Sequence, residues 1–221
     1  MVSRGGRIDP FSENRITTIK TTLFVLLCLP AAWMIFDIVA GNLVEPVEEL
    51  THATGQWALR ILLLTLAITP LRQITGWTRL IRLRRMLGLF SFFYMVAHFS
   101  IYLVLDRFFH WPEIVVDLTE RPYIIAGFTC LVLCIPLACT STDAMMRRLG
   151  GRNWKRLHRL VYPAAIAAVL HFIWLVKADI TEPAIYALVL AALLGWRLRA
   201  SGEKRQRRRP DSRSTPIMGQ G

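Results

Sequence analysis

Six stretches of the chain, approximately residues 21–41, 54–71, 86–105, 122–140, 157–176 and 183–198, are almost continuously apolar. Each approaches the ~20 residues that a helix needs to cross ~30 Å of hydrocarbon. Unbroken apolarity predicts helices rather than barrel strands, because every backbone amide in lipid must then find its partner within its own segment. The pattern predicts an all-α, polytopic membrane bundle of six transmembrane helices, of which the second and sixth are the shortest. Residues 1–20 form a basic leader, residues 21–199 the bundle, and residues 200–221 a tail of Arg, Ser, Pro and Gly. The tail has little to bury and is expected to be disordered. It is too short to be a flavin or nucleotide domain. The segment Thr21 to Ala40 lacks a convincing small-x-small cleavage site and is expected to be retained as a span rather than removed as a signal.

Composition agrees with that class. Of the 221 residues 54% are hydrophobic and 19% charged, and the mean hydropathy is +0.41, which is too apolar for an ordinary soluble domain. Lys and Arg number 27 against 15 Asp and Glu. An excess of this size suits nucleic acid, an anionic lipid surface or orientation in a membrane, and the placement of the charges decides between them. Arg4, Arg7, Arg15 and Lys20 precede the first span, and Arg72, Arg79, Arg82, Arg84 and Arg85 follow the second. Arg147, Arg148, Arg152, Lys155 and Arg156 follow the fourth, and a run beginning at Arg197 follows the sixth. The opposite loops offer only Arg107, Arg121 and Lys177. Both termini are therefore expected in the cytoplasm, and the basic residues are juxtamembrane anchors rather than a nucleic-acid surface. Cys28, Cys130, Cys134 and Cys139 lie inside apolar stretches without metal-ligand spacing and are expected to be core residues.

With this topology the five histidines acquire depths. His52 and His110 fall in outer loops. His98 lies about 12 residues into the third span, roughly 18 Å from the inner edge at 1.5 Å per residue, and His171 about 14 residues into the fifth, roughly 21 Å. Two imidazoles at one depth on two helices suit axial ligation of a haem iron. A proton relay, another metal and plain interhelical hydrogen bonds are the alternatives. His158 begins the fifth span, about 20 Å below His171. On a straight helix these two lie about 140° apart, so they do not share a face, and Pro163 between them is expected to kink the span. Fourteen steps back from His98 stands Arg84 rather than a second histidine. The inner level thus has His158 opposite Arg84 and Arg85, whose forks suit a haem propionate or a flavin phosphate, or serve as ordinary anchors at the membrane surface. The aromatics Phe92, Phe93, Tyr94, Phe99, Phe172 and Trp174 surround the outer pair as core or lipid-facing residues.

The runs "LTHATGQWALRILLLTLAITPLR", "LIRLRRMLGL", "ERPYIIAG" and "TSTDAMMRRLGGRNWKRLHRLVY" resemble the haem-binding membrane subunit of the bacterial periplasmic protein-methionine-sulfoxide reductase system. That group is part of the ferric-reductase-like transmembrane family, alongside the NADPH oxidase membrane domain. The similarity covers about Glu45 to Lys177. It implies a bacterial inner-membrane electron carrier with b-type haem, and FMN as well, that passes electrons to a periplasmic molybdopterin-containing reductase acting on methionine sulfoxide. The family's haem histidines fall on His98, His158 and His171. The expected donor is the quinone pool or a cytosolic flavin reductase. The alternative is a ferric reductase or superoxide-producing oxidase working at the outer haem. The chain departs from the oxidases in having no second histidine on the third span and no flavin domain, so direct NADPH oxidation is not expected. For FMN, the hydroxyls of Thr140, Ser141 and Thr142 in "TSTDAM" are the candidates, with helix capping as their other role.

Overall fold

The computed structural model describes residues 10–176 and 178–206. The helices are α1 (Pro10–Ala40), α2 (Pro46–Thr75), α3 (Ile81–Ile101), α4 (Trp111–Glu120), α5 (Pro122–Cys139), α6 (Asp143–Leu157), α7 (Val161–Leu175) and α8 (Thr181–Gln206). There is no strand among the described residues, and six helical segments are long and apolar enough to cross a membrane. The all-α membrane bundle expected from the sequence is borne out. Arg4, Arg7, Lys177 and the basic residues from Arg207 onward lie outside the described residues.

Helix boundaries follow local chemistry. Pro46 and Pro122 open α2 and α5, where a missing amide costs nothing and φ is already helical. Arg121, ahead of Pro122, is held extended. Gly76 ends α2 in a left-handed conformation with φ +71, which a side chain would resist.

At the centre, α2 packs along α3 and α5 packs along α7, each as an antiparallel pair. The pairs meet through α3 against α5 and α2 against α7, while α1 lies outside α2 and α3, and α8 outside α2 and α7. Lipid gives apolar side chains no reason to associate, so the fit of small residues and a few polar bonds must hold such helices together. Ala164 and Ala165 on α7 are wholly buried, and Ser91 Oγ on α3 donates to the Ala58 carbonyl on α2 at 2.9 Å. Arg60 ties α2 to α8: its Nε donates to the Tyr186 hydroxyl at 2.8 Å and its Nη2 stands 3.9 Å from Glu182.

The connection of α1 is more unusual. Pro30 lies inside α1, and beside it the Tyr94 hydroxyl of α3 enters the backbone ladder. The hydroxyl donates to the Leu27 carbonyl at 2.7 Å and accepts from the Ala31 amide at 3.1 Å. These two backbone groups would bond to each other in an uninterrupted helix, so one side chain replaces that rung and fastens α1 to the bundle.

Several local expectations change. The second span is longer than its apolar run, and His52 is a residue of α2 rather than of a loop. The segment between the third and fourth spans contains α4, and "DAMMRRLGGRNWKRL" forms α6, broken at Gly150 (φ +74). Pro163 stands in the first turn of α7, where it disturbs little. The irregularity lies just before it, in a 3₁₀ turn over His158–Leu160, so the 140° count across a straight helix does not apply. Cys130 and Cys134 are buried and Cys28 half-buried, but Cys139 is exposed at the end of α5. Finally, α8 continues to Gln206, into the segment expected to be a disordered tail.

Candidate functional site

His98 lies one turn from the end of α3 and His171 one turn from the end of α7. Because each helix runs antiparallel to its partner, these ends meet the beginnings of α2 and α5. The two rings come together with centres 6.1 Å apart and planes at 81°.

Each ring is held from behind in the same way. His98 Nδ1 lies 2.9 Å from the Thr51 carbonyl of α2, and His171 Nδ1 lies 2.6 Å from the Tyr123 carbonyl of α5. A carbonyl can only accept, so Nδ1 carries the proton in both rings and Nε2 keeps its lone pair. Four residues after each carbonyl comes a glycine. A Cβ at Gly55 would stand 3.1 Å from His98 Nδ1 and Cε1, and one at Gly127 would stand 2.8 Å from His171 Nδ1. The missing side chains let each imidazole reach the carbonyl one turn away. Neither Nε2 makes a hydrogen bond to protein among the described residues.

Between the pairs lies a cavity of about 620 Å³, whose lining includes both histidines, both glycines, Met95, Phe99, Leu131 and Phe172. That volume is within the usual ~300–1,000 Å³ of sites for large ligands. The wall is mainly apolar, and its polar residues gather at the mouth, where Glu45, Glu48, His52, Asp106, Arg107 and Arg121 stand. Glu45 carries a carboxyl raised above its usual range by its hydrogen bond to Glu48 and then by that residue's charge.

Haem tests this arrangement directly. Two metal–nitrogen bonds of about 2 Å, with roughly 1.1 Å from each nitrogen to its ring centre, place two axial imidazoles roughly 6.2 Å apart. The observed ring spacing, the lone-pair nitrogens and the cavity all fit a metal porphyrin. No group of three or more His, Cys, Asp and Glu side chains suited to a metal ion exists among the described residues.

The remaining candidates are placed differently. His158 does not line this cavity. Its ring stacks on Trp154 with centres 3.9 Å apart, and its Nδ1 donates to the Trp154 carbonyl at 3.1 Å. Arg84 lies within electrostatic reach of His158, Arg197 and Tyr162. Arg85 is paired with Asp143 of α6 at 2.7 Å. The hydroxyls of Thr140 and Ser141 bond back to the Pro136 and Leu137 carbonyls, and Thr142 caps α6. Of the aromatics, Phe99 and Phe172 reach the cavity, Tyr94 is committed to α1, and Phe93 and Trp174 are exposed. Thr51, Gly55, Tyr123 and Gly127 were not foreseen. Their only visible signal was a glycine inside each apolar span, since a backbone carbonyl leaves no mark in a sequence.

A helical membrane protein with a bis-histidine cavity between two helix pairs is a recognisable class, and residues 54–169 match the family described as the ferric reductase like transmembrane component. The chain belongs to that family. Over 154 residues it is 60% identical to the protein-methionine-sulfoxide reductase heme-binding subunit MsrQ of Xanthomonas campestris pv. campestris (strain B100), covering 70% of each chain. It is 50% identical over 194 residues to MsrQ of Xanthomonas euvesicatoria pv. vesicatoria, 85% of this chain and 88% of that one. With MsrQ of Rhodospirillum rubrum it shares 46% identity over 194 residues, 87% and 93% of the two chains. No solved structure matches it.

Proposed function

We propose that this chain is a membrane b-type cytochrome that carries electrons to a protein-methionine-sulfoxide reductase, as the names of its relatives suggest. The observation that carries the reading is the pair of imidazoles 6.1 Å apart, each tied at Nδ1 to a backbone carbonyl. His98 and His171 would hold the haem through Nε2, and the hydrogen bonds behind them fix ring orientation and strengthen the ligands. Haem held there by both imidazoles would supply one-electron exchange and favour electron transfer over oxygen chemistry. The apolar wall keeps water from the site. In this reading the arginine-rich side faces the cytoplasm and takes electrons from quinol or a cytosolic flavin reductase. The opposite side delivers them to a periplasmic molybdopterin-containing partner, and the membrane is the bacterial inner membrane. His158, with Arg84 and Arg85 near it, belongs to the donor level, and FMN is assigned to that side.

A reduced-minus-oxidised spectrum of the detergent-purified protein, with haem and flavin counted per chain, tests the proposal. We expect a low-spin b-type spectrum that His98→Ala or His171→Ala removes and His158→Ala largely preserves. A haem count of two would place the second group at His158, and a count of one would leave the role of this residue to the path of the electron. A colourless protein after adequate haem supply would sink the reading.

A further inference from the structure

The cavity opens on a face whose charge is one-sided. Three stretches of the chain reach that end of the bundle, residues 37–49, 106–121 and 177–182. They hold ten acidic residues against Arg107, Arg121 and Lys177, of which Lys177 lies outside the described residues. The first two stretches supply Glu45, Glu48, Asp106, Arg107 and Arg121 to the rim. The third is tied to the same end by Glu182, which accepts from Gln56 of α2 at 3.2 Å and faces Arg60 at 3.9 Å. The rim arginines do not offset the excess of acid. Arg107 pairs with Asp106, Glu113 and Asp117 at 3.5, 3.4 and 2.7 Å, and Arg121 shares Asp117. Glu45 and Glu48 stay exposed and in each other's field. Topology does not account for them, because a membrane protein is oriented by its cations and carboxylates contribute little.

Beside the rim stands a strained aromatic turn. Phe108 and Phe109 both hold a left-handed backbone, with φ 45 and 57, which a residue with a side chain resists. The turn follows directly on the π-helical stretch Tyr102–Asp106. The Phe109 amide donates back to the Leu103 carbonyl at 3.0 Å, and Arg107, the residue before the turn, is fixed by the buried carboxylate of Asp117. So braced, the turn leaves Phe108 78% and Trp111 62% exposed. Strain of this kind persists only where the surrounding structure enforces it, and it gathers at sites that bind. Rigid, exposed aromatic side chains are the usual anchors of a protein interface, and a ring of one charge beside them steers and orients the partner.

We infer that this face, the acidic rim with the aromatic turn at its edge, is the docking surface for a soluble redox protein that presents a basic patch. Such a partner seats over the cavity mouth, where the path to the haem held by His98 and His171 is shortest, and accepts single electrons from it. The carboxylates guide the approach, and Phe108 and Trp111 hold the partner once it is seated. An anionic lipid surface is the poorer occupant, since Asp106 and Glu113 flank the turn and would be repelled by it.

This inference rests on the haem reading, and the test separates the two. The full-length, haem-loaded chain in detergent is reduced and mixed in stopped flow with ferricytochrome c, a soluble basic redox protein, or with cytochrome c acetylated at its lysines. One electron passes from each reduced haem to each ferric probe. At low salt the basic probe should be reduced about tenfold or more faster than the acetylated one, and the difference should fade as salt rises, the behaviour of electrostatic steering. Glu45→Gln/Glu48→Gln/Glu113→Gln, with rates taken per haem, should lose most of the difference. Glu49 is kept, because it caps the backbone at Val44 and Glu45. Phe108→Ala/Trp111→Ala should slow transfer to the basic probe at every salt concentration. A chain that binds no haem overturns both readings. Equal rates for the two probes at low salt, or undiminished discrimination in the Gln variant, overturn the docking surface and leave the haem reading standing. If the aromatic variant transfers normally in detergent and is destabilised only in phospholipid nanodiscs, the turn is a membrane anchor and its part in docking falls.

Discussion

At the scale of single residues, two glycines decide how the histidines are presented. The room behind each ring differs: an added Cβ at Gly127 would stand 2.8 Å from His171, against 3.1 Å from His98 at Gly55. Gly127→Ala must therefore move His171 off the Tyr123 carbonyl, while Gly55→Ala needs a shift of only a few tenths of an ångström. Haem affinity should fall by roughly 10–100-fold for Gly127→Ala, the scale of losing the hydrogen bond behind a metal ligand, and by less for Gly55→Ala, as read by haem titration. Electron paramagnetic resonance adds a second readout. With ring planes at 81°, the oxidised haem should give a strongly anisotropic low-spin signal, and freeing His171 in Gly127→Ala should change it. The sequence made the histidines legible, because an imidazole inside an apolar span is expensive and asks for a reason. It did not make Thr51 or Tyr123 legible, since both act through backbone carbonyls. The ion pairs of Asp117 on α4 with Arg107 and Arg121 were hidden for another cause, since α4 is a helix of 10 residues too short to be found by span length.

At the scale of elements, the apolar runs located the spans because lipid imposes one length and one composition on every crossing helix. What they missed is what lipid does not govern. The helix α6 is strongly polar and amphipathic, with Thr142 at its start and Gly150 breaking it. The 3₁₀ turn at His158–Leu160 arises where α6 gives way to α7. The fastening of α1 was also beyond reach, since Tyr94 read only as one aromatic among several. Tyr94→Phe would leave the Leu27 carbonyl and the Ala31 amide to find each other across a segment interrupted by Pro30, or to remain unpaired. Each buried polar group left without a partner costs about 1–3 kcal/mol. We expect a lower melting temperature in detergent and faster proteolysis near α1, with the spectrum of the site unchanged because Tyr94 does not line the cavity. An unchanged melting temperature would mean that the rung reforms without the hydroxyl.

At the scale of the whole molecule, the alternation of basic clusters predicts a topology that the helix order permits. Six crossings, one for each candidate span, would return the chain to the side from which it began, so both termini are expected on one face, which the positive-inside rule assigns to the cytoplasm. A green fluorescent protein fused to the C-terminus should fluoresce in cells, and alkaline phosphatase fused there should be inactive. Fused within the loop after Ala40, the phosphatase should be active. The reverse result would turn the molecule over and place the histidine pair on the cytoplasmic side.

His171 stands one turn from the end of α7, and His98 lies in the outer part of a helical segment that runs on to Asp106. That position has an electrical meaning. With the arginine-rich face inside, an electron bound for this pair traverses about two thirds of the insulating layer before it arrives, and about one third remains afterwards. A membrane voltage that is negative within pushes negative charge outward, by about 2.3 kcal/mol per 100 mV for a full crossing. Most of that push falls on the inward leg, between donor and histidine pair. An energised membrane would therefore help to fill the site with electrons, and the departure step would feel only the smaller remaining share of the voltage.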